Sequence, residues 1–403
     1  MRKANARPPT RYAALDAARK IHGERVDRYL AYAGRVDPLA DEAAAALSAL
    51  PPRRAAKILD DALAHGIDSV PRAPRAVRAL FEQVEHVPFW VDFAELERGG
   101  KTMMRSGLFG ALVLICYSLP LSYTSPGGNK PLVFTGELVK KAPERLSYTG
   151  RFFLETCLPG GLRRGAVGYR STVRVRLRHA MVRRAILDRG GWNEAAFGAP
   201  VNQADLVGTN LMFSIVALRG LKRLGFRISR EEAQAYLALW RYSGYLIGVD
   251  AELLPRTEAE AEALLDLTLR VQRKPDRDSR ALVRALLDAP VTVARSPKSE
   301  AQGRRLRSVY AGVMRTFLGK EMADELRIPV NRWRHAVTAL RPVIANVERL
   351  RAAAPFGTAY VTAAGTLAWR RAIDAGASHV AGEFAVLRQV RNLLDTALLR
   401  RAA

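Results

Sequence analysis

Stretches in which polar and apolar residues alternate, as a half-buried strand requires, are scarce in this chain of 403 residues. Apolar residues recur instead at spacings of three and four, and the composition is rich in alanine, leucine and arginine, which are good helix formers. The strand candidates, such as residues 132–135 and 360–362, are too short and too few to predict a sheet. We therefore predict an all-α fold.

The chain is long enough to bury a sizeable core within one large domain. Hydrophobic residues make up 49% of it, which is typical of a globular protein. The first fifty residues are basic, helical in tendency and punctuated by prolines. We predict a basic N-terminal helical extension over residues 1–50 and a single multi-helix domain over residues 51–403, with its core at residues 75–250.

The longest apolar run, residues 108–119, falls well short of the roughly 20 residues that span a bilayer. It predicts a buried core helix. The basic start of the sequence is not followed by an apolar stretch or a small-residue cleavage site. We therefore expect no secretory signal and a cytoplasmic protein, unless an export signal has been trimmed from the sequence.

The formal net charge of +25 raises the question of an anionic partner. The charge is spread from Arg2 to Arg401 rather than gathered in one tail, and no helix-turn-helix, zinc-finger or aromatic RNA-binding motif accompanies it. We expect a monomer with no dedicated nucleic-acid partner, for which peripheral contact with anionic surfaces stays open.

Several common catalytic motifs are missing. The sequence contains no H-E-x-x-H, no G-x-S-x-G and no P-loop, and no two histidines lie three or four residues apart. The two cysteines, Cys116 and Cys157, form no zinc-binding pattern and sit in apolar surroundings, so we interpret them as small core residues. The motifs of the sequence therefore do not support a hydrolase or an NTPase function.

His179 is the histidine whose surroundings suit a haem. Its helix face at spacings of three and four combines apolar residues with two arginines: Thr172, Val175, Arg176, Val182, Arg183 and Ile186. A haem needs an apolar slot, a neutral imidazole nitrogen for its iron and guanidinium partners for its propionates. From the residues alone, a core histidine held by one hydrogen bond remains the alternative.

The preceding helix places Arg145, Tyr148 and Thr149 on one face, although the helix otherwise offers apolar residues such as Phe152 and Phe153 to a core. Buried polar groups need partners, so this cluster predicts a ligand, waters or mutual hydrogen bonds. A solvated polar face is the alternative.

Two segments resemble the latex-clearing protein family. They are the histidine-centred block Val175-Arg-Leu-Arg-His179-Ala-Met-Val-Arg183-Arg and, after Trp192, the segment Gly198-Ala-Pro-Val-Asn202-Gln-Ala-Asp205 with Thr209. This family comprises b-type haem rubber oxygenases and is related to fungal oxygenases of mycophenolic acid biosynthesis. The likeness covers roughly residues 75–250. It implies haem b (iron protoporphyrin IX) as cofactor, held in a globin-like buried pocket between central helices.

The resemblance also assigns roles to individual residues. His179 falls at the family's proximal ligand to the haem iron, and Arg176 and Arg183 of its helix are the matching cofactor-binding residues. Arg145 and Thr149 fall at distal-pocket positions of the family. Tyr148 stands where the rubber-cleaving enzymes carry a lysine, and it becomes the third predicted catalytic residue.

Other family positions match less well. Arg184 and Leu211 stand near positions where rubber oxygenases have further histidines. Glu137 is the nearest candidate for the family's proposed distal glutamate base.

Three functions follow as hypotheses. The first is a haem oxygenase that uses dioxygen to cleave carbon–carbon double bonds in poly(cis-1,4-isoprene) or a similar apolar substrate, admitted by an apolar tunnel along residues 108–119, Phe152 and Phe153. The second keeps the haem but acts on a small hydrophobic metabolite or as a peroxidase. The third is a non-catalytic basic module that binds anionic membranes or nucleic acid.

Overall fold

A computed structural model of the chain describes residues 8–134, 142–294 and 296–377. Every regular element in these ranges is helical, and the strand-type pairing found among them is a single antiparallel bridge between Tyr12 and Gln272. The all-α prediction is confirmed. The described parts of both strand candidates lie in helices or at a helix end.

The first half of the fold consists of short helices followed by two longer ones. They are α1 (Leu15–His22), α2 (Arg25–Ala31), α3 (Pro38–Ser48), α4 (Pro52–His65), α5 (Arg75–Glu85), α6 (Phe93–Met104), α7 (Leu108–Val113), α8 (Leu119–Ser122), α9 (Pro126–Val133), α10 (Ala142–Cys157) and α11 (Val167–Arg189).

The second half continues without interruption by sheet. Its helices are α12 (Glu194–Phe197), α13 (Gln203–Leu211), α14 (Ala217–Leu224), α15 (Arg230–Leu246), α16 (Glu258–Arg270), α17 (Arg277–Thr292), α18 (Pro297–Leu318), α19 (Lys320–Glu325), α20 (Ala336–Ala353) and α21 (Gly357–Ala377). Short 3₁₀ segments are Tyr32–Gly34, Ile67–Ser69, Ala251–Leu253 and Arg332–His335.

Two π-helical turns, Leu114–Ser118 and Met212–Val216, lie inside otherwise continuous helices. The first joins α7 to α8, so the apolar run predicted as one core helix is a helix with a π-bulge, and its Val113 and Cys116 are fully buried. Such bulges are frequent near functional sites.

Among the described residues, the helical stretch Gln203–Leu224 is long and apolar enough to cross a membrane, but 78% of its apolar window is buried inside the protein. The pair Phe93–Met104 and Leu108–Ser122 reaches that length only jointly and is bent by 83°. Both stretches are built into the core.

Adjacent glycines on α6 bring three helices together. A Cβ atom at Gly99 would lie 2.3 Å from the carbonyl oxygen of Ala235 on α15, and one at Gly100 would lie 2.2 Å from that of Cys157 on α10. Because only glycine avoids these clashes, α10 and α15 can both pack directly on α6. This packing fixes the position of α10 in the domain.

Residues 12–50, predicted as an extension, are integrated with the rest of the chain. Tyr12, Val26 and Tyr29 share a buried cluster with residues of α13 and α16, and Ala40 to Leu47 of α3 join the main core. The burial of this segment follows from apolar faces on short helices, which the sequence analysis interpreted as a basic extension.

The proline and glycines of residues 123–132 predict a turn-rich loop, but the segment contains α9, in which Pro126 occupies the first turn and the Ser125 hydroxyl accepts a hydrogen bond from the Gly128 amide at 3.3 Å. The charged residues 296–307 predict an exposed loop or helix end, and they form the mostly exposed start of α18, capped by Ser296. In both cases an N-cap serine followed by proline starts the helix.

Candidate active site

Helices α10 and α11 pack against each other and bring together the residues that the sequence analysis singled out. Tyr148 lies on α10, and the Arg178 guanidinium, next to His179 on α11, lies 5.9 Å from the centre of the Tyr148 ring. The packing of α10 on α11 therefore brings Tyr148 close to Arg178, the neighbour of His179 in the chain.

His179 lacks the hydrogen bond that a structural core histidine would have. Its Nδ1 atom is buried without a partner, and no hydrogen bond to the ring is found among the described residues. Burial, followed by the charges of Arg183 and Arg178, lowers the pKa of His179 to about 4. The imidazole is therefore neutral at neutral pH, which is the form that binds a metal.

Two polar atoms of α10, like His179 Nδ1, lack a hydrogen-bond partner. The Tyr148 hydroxyl and the Arg145 Nη1 atom are both buried without a hydrogen-bond partner. Leaving such a group unsatisfied costs about 1–3 kcal/mol. Three unsatisfied atoms on two packed helices, one of them on a neutral imidazole, fit a bound group that offers a metal ion and oxygen ligands. The residues present are thus compatible with the predicted haem.

Arg145 is held from the side by Tyr123, which lies just after α8. The Arg145 Nη2 atom donates a hydrogen bond of 2.6 Å to the Tyr123 hydroxyl, and the guanidinium lies 5.3 Å from the centre of that ring. Burial raises the pKa of Tyr123, so this hydroxyl stays protonated. One side of the guanidinium is therefore fixed, while Nη1 remains available.

Thr149 faces a large apolar cavity of about 710 Å³. Its walls come from α7, α10, α17, α18 and α21 and from both π turns, and they include Leu114, Ile115, Leu119, Leu146, Phe213, Leu286, Tyr310, Trp369 and Ile373. The predicted contribution of residues 108–119 is confirmed.

The predicted lining by Phe152 and Phe153 is not what the structure shows. These rings pack instead against Trp240 and Phe213, with the Phe153 and Trp240 ring centres 5.3 Å apart. Phe153 also stacks on Trp369, with ring centres 5.6 Å apart, so these rings pack behind Phe213 and Trp369, which line the cavity in their place.

Arg176 and Arg183 are bound by the protein itself. Arg176 pairs with Asp37, with Nε–Oδ2 and Nη2–Oδ1 distances of 2.6 and 3.0 Å, and also donates to Gln83. Arg183 pairs with Asp41 at 2.6 Å and donates to the carbonyl oxygen atoms of Pro200 and Val201. These contacts do not support the predicted cofactor-binding role. They attach α11 to α3 and so hold His179 in place.

The segment that carries the second part of the resemblance is structural. The Asn202 side chain caps α13 by accepting a hydrogen bond of 3.0 Å from the Asp205 amide. Asp205 in turn forms a 2.6 Å ion pair with the buried Arg11. Gln203 links this turn to the end of α15 through the Gly248 carbonyl. The turn therefore fixes the path of the chain beside α11.

Sequence reasoning missed Tyr123 and Arg178 as members of the site. Tyr123 lies 22 residues before Arg145, in a segment predicted as a loop, so no periodicity connects them. Helical periodicity places Arg178, together with Arg174, on the side of α11 opposite the apolar face of His179, so the sequence did not indicate Arg178 as part of the site. Glu137, the candidate base, lies outside the described residues. Among the described residues, no group of three or more His, Cys, Asp or Glu side chains could hold a metal ion.

Comparisons with known proteins identify the family of the chain. Residues 100–355 match the family described as ER-bound oxygenase mpaB/B'/Rubber oxygenase, catalytic domain. A rubber oxygenase from Streptomyces sp. (strain K30) is 28% identical over 207 residues, which are 48% of this chain and 49% of that protein. The chain therefore matches about half the length of that relative.

A solved structure shares the fold. The structure of the latex clearing protein LCP in the closed state superposes with a TM-score of 0.66 at 22% sequence identity. The match covers 85% of this chain and 90% of that one.

Proposed function

The chain belongs to the family of ER-bound mpaB and rubber oxygenase catalytic domains, and from that premise we propose that it is a haem-b-dependent oxygenase. In this proposal it cleaves carbon–carbon double bonds of an apolar substrate, such as poly(cis-1,4-isoprene), with dioxygen. Both oxygen atoms end in the two carbonyl groups of the products. The observation that carries the proposal is the neutral imidazole of the half-buried His179, whose Nδ1 atom is buried without a partner on the helix that packs on α10.

His179 is the residue that would hold the haem iron. When bound, the haem supplies the activation of dioxygen that no amino-acid side chain provides. The contribution of the protein is a ligand kept free of protons and of competing hydrogen bonds. The ion pairs of Arg176 and Arg183 with α3 keep the helix that carries this ligand in position.

Arg145 and Tyr148 supply hydrogen bonds on the α10 side. The Arg145 Nη1 atom and the Tyr148 hydroxyl each have an unused donor. Either group can donate to an oxygen atom that gains negative charge during the reaction, and such contacts are strong where water is excluded. Tyr123 keeps the Arg145 guanidinium in one orientation. No rearrangement of this arginine is then needed.

The cavity beside Thr149 is the proposed substrate site. Its walls are mainly aliphatic and aromatic. The hydrophobic effect therefore favours transfer of an apolar chain from water into this cavity. Thr149 and Ser147 place two hydroxyl groups of α10 at the edge of this space. The cavity and the unsatisfied donors thus share α10, although Arg145 and Tyr148 do not themselves line the cavity.

A second candidate function is supported by the size of the cavity and by Tyr148. A volume of about 710 Å³ lies within the range of about 300–1,000 Å³ that is usual for small-molecule sites. Tyr148 replaces the lysine of the rubber-cleaving enzymes that the chain resembles. Both observations favour a small hydrophobic metabolite as an alternative to the polymer.

Incubation of the purified, haem-loaded protein with polyisoprene latex separates these two functions. The polymer proposal predicts oligomers with carbonyl ends that increase with enzyme concentration. If haem-loaded protein forms no such oligomers at any concentration, the polymer is rejected and the small-metabolite alternative stands. The non-catalytic alternative stands if the protein takes up no haemin at all.

A further inference from the structure

The helices α20 and α21 form a hairpin that exposes a set of large apolar side chains. The two helices pack together and are joined at residues 354–356. We call the exposed set the hairpin surface, and it consists of Val343, Val347, Leu350, Phe356, Tyr360 and Leu367. At its tip, Leu350 is 71%, Phe356 88% and Tyr360 76% exposed.

The hairpin surface follows helical periodicity. Val343, Val347 and Leu350 are spaced by four and three residues along α20, and so form one stripe. The opposite face of α20 is anchored by the buried Glu348, which accepts hydrogen bonds from Arg351 at 3.0 Å and Arg105 at 3.5 Å. An exposed apolar stripe on a helix whose other face is buried is typical of a helix that binds an apolar partner, such as a lipid bilayer.

Phe356 adds an observation of a different kind. Its φ angle is +59°, a left-handed conformation that is rare for a bulky residue and costs of the order of a kcal/mol. The side chain that this strained backbone presents is 88% exposed. Since the described residues leave this side chain almost uncovered, we infer that the tip is shaped for a further contact.

The charge of this region identifies the partner. Residues 332–371 contain seven arginines and one acidic residue, Glu348, which is only 2% exposed. Exposed arginines beside aliphatic and aromatic side chains complement an anionic bilayer, whose headgroups attract the charge while its acyl region accepts the apolar groups. Nucleic acid would account for the arginines but not for Leu350 and Phe356.

We propose that the hairpin surface docks this protein on an anionic lipid bilayer. Phe356 directly precedes α21, Tyr360 lies near its start, and Trp369, Ala372 and Ile373 of the same helix line the large cavity. Docking would therefore place the cavity beside the acyl region of the bilayer, in which apolar molecules dissolve. The proposal goes beyond the proposed function and does not rest on it, because bilayer binding needs no haem.

Co-sedimentation of the full chain with phosphatidylcholine vesicles, with and without phosphatidylserine, tests the proposal. We expect binding to the phosphatidylserine vesicles that weakens with salt. The triple variant Leu350→Ser, Phe356→Ser and Tyr360→Ser should bind them about tenfold or more weakly. The double variant Arg341→Glu and Arg349→Glu should also bind about tenfold more weakly, since it reverses exposed charges beside the same stripe.

Phe89→Ser is the matched control, because Phe89 is 100% exposed but lies on the loop before α6. It should bind as the wild type does, and circular dichroism should show that all variants keep their helicity. Equal binding by the triple variant and the wild type overturns the proposal. So does a wild-type protein that binds duplex DNA but no vesicles, or one that binds no vesicles and dimerises through the hairpin surface.

Discussion

The guanidinium group of Arg145 donates a 2.6 Å hydrogen bond to the hydroxyl group of Tyr123, and its other terminal nitrogen is buried without a partner. One nitrogen is thus used to orient the group, and the other is left for a ligand. The pair joins α10 to the end of α8. It also gives the candidate site a positioning residue, Tyr123, that the sequence pattern did not indicate.

Tyr123→Phe should lower turnover while haem binding is retained. The variant keeps the ring beneath Arg145 but removes the acceptor, so the guanidinium loses its fixed orientation. We expect kcat to fall roughly tenfold with a smaller change in KM. Tyr32→Phe, which removes a hydroxyl bonded to the distant Glu252 at 2.6 Å, is the control and should keep wild-type kcat. An unchanged kcat in Tyr123→Phe removes this tyrosine from the site.

Tyr148→Phe should alter the ferric haem spectrum without destabilising the haem-free protein. The hydroxyl that it removes is buried and unpaired. We therefore expect the free energy of unfolding, measured by urea denaturation without haem, to stay constant or to rise by up to about 1 kcal/mol. A loss of stability would mean that the hydroxyl has a partner in solution. An identical spectrum and identical rates would place Tyr148 outside the pocket.

Stability should depend on pH through His179. The pKa of its imidazole is lowered to about 4 in the folded protein from 6.5, so the neutral form is the one that folding favours. The stabilisation is complete above about pH 6.5 and is lost as the pH falls toward 4, because only the unfolded chain gains the proton. The loss amounts to about 3 kcal/mol.

Denaturation of haem-free wild type and of His179→Gln at several pH values measures this contribution. The difference in unfolding free energy between the two proteins should change over that pH window in the stated direction. A difference that does not vary with pH shows that His179 is not buried as described.

The pair of Arg176 and Asp37 should be essential for stability. Both side chains are nearly fully buried, and Asp37→Asn leaves the Arg176 charge without its counter-ion. We expect a loss of about 3–5 kcal/mol in the free energy of unfolding. Asp60→Asn is the matched control, since its partner Arg174 is exposed, and should change stability by less than about 1 kcal/mol. Similar losses in both variants contradict the account.

Much of the fold was predictable because it rests on local patterns. Periodicity predicts the helices that carry the site over about residues 137–156 and 169–189, and the structure describes α10 over Ala142–Cys157 and α11 over Val167–Arg189. The spacing of Ser229 and Glu232 predicts a capping box, and this box forms at the start of α15. By contrast, α9 was missed because its prolines and glycines are typical of a turn, although Pro126 in fact occupies its first turn.

The site was predictable only in part. His179, Tyr148 and Arg145 stood out as polar residues on partly apolar helices, and the resemblance to the family then assigned their roles. The partners of Arg176 and Arg183 could not, since Asp37 and Asp41 lie 139 and 142 residues away in the chain. Contacts at such separations are set by the packing of α3 against α11, which no local pattern records.

The optical spectrum of the protein incubated with haemin tests the central claim most directly. We predict a Soret band in the wild type and in His86→Ala, whose histidine is exposed, and its loss or severe weakening in His179→Ala. Added imidazole should partly restore the band in that variant by replacing the missing ligand. Full haem content and an unchanged spectrum in His179→Ala would contradict the account.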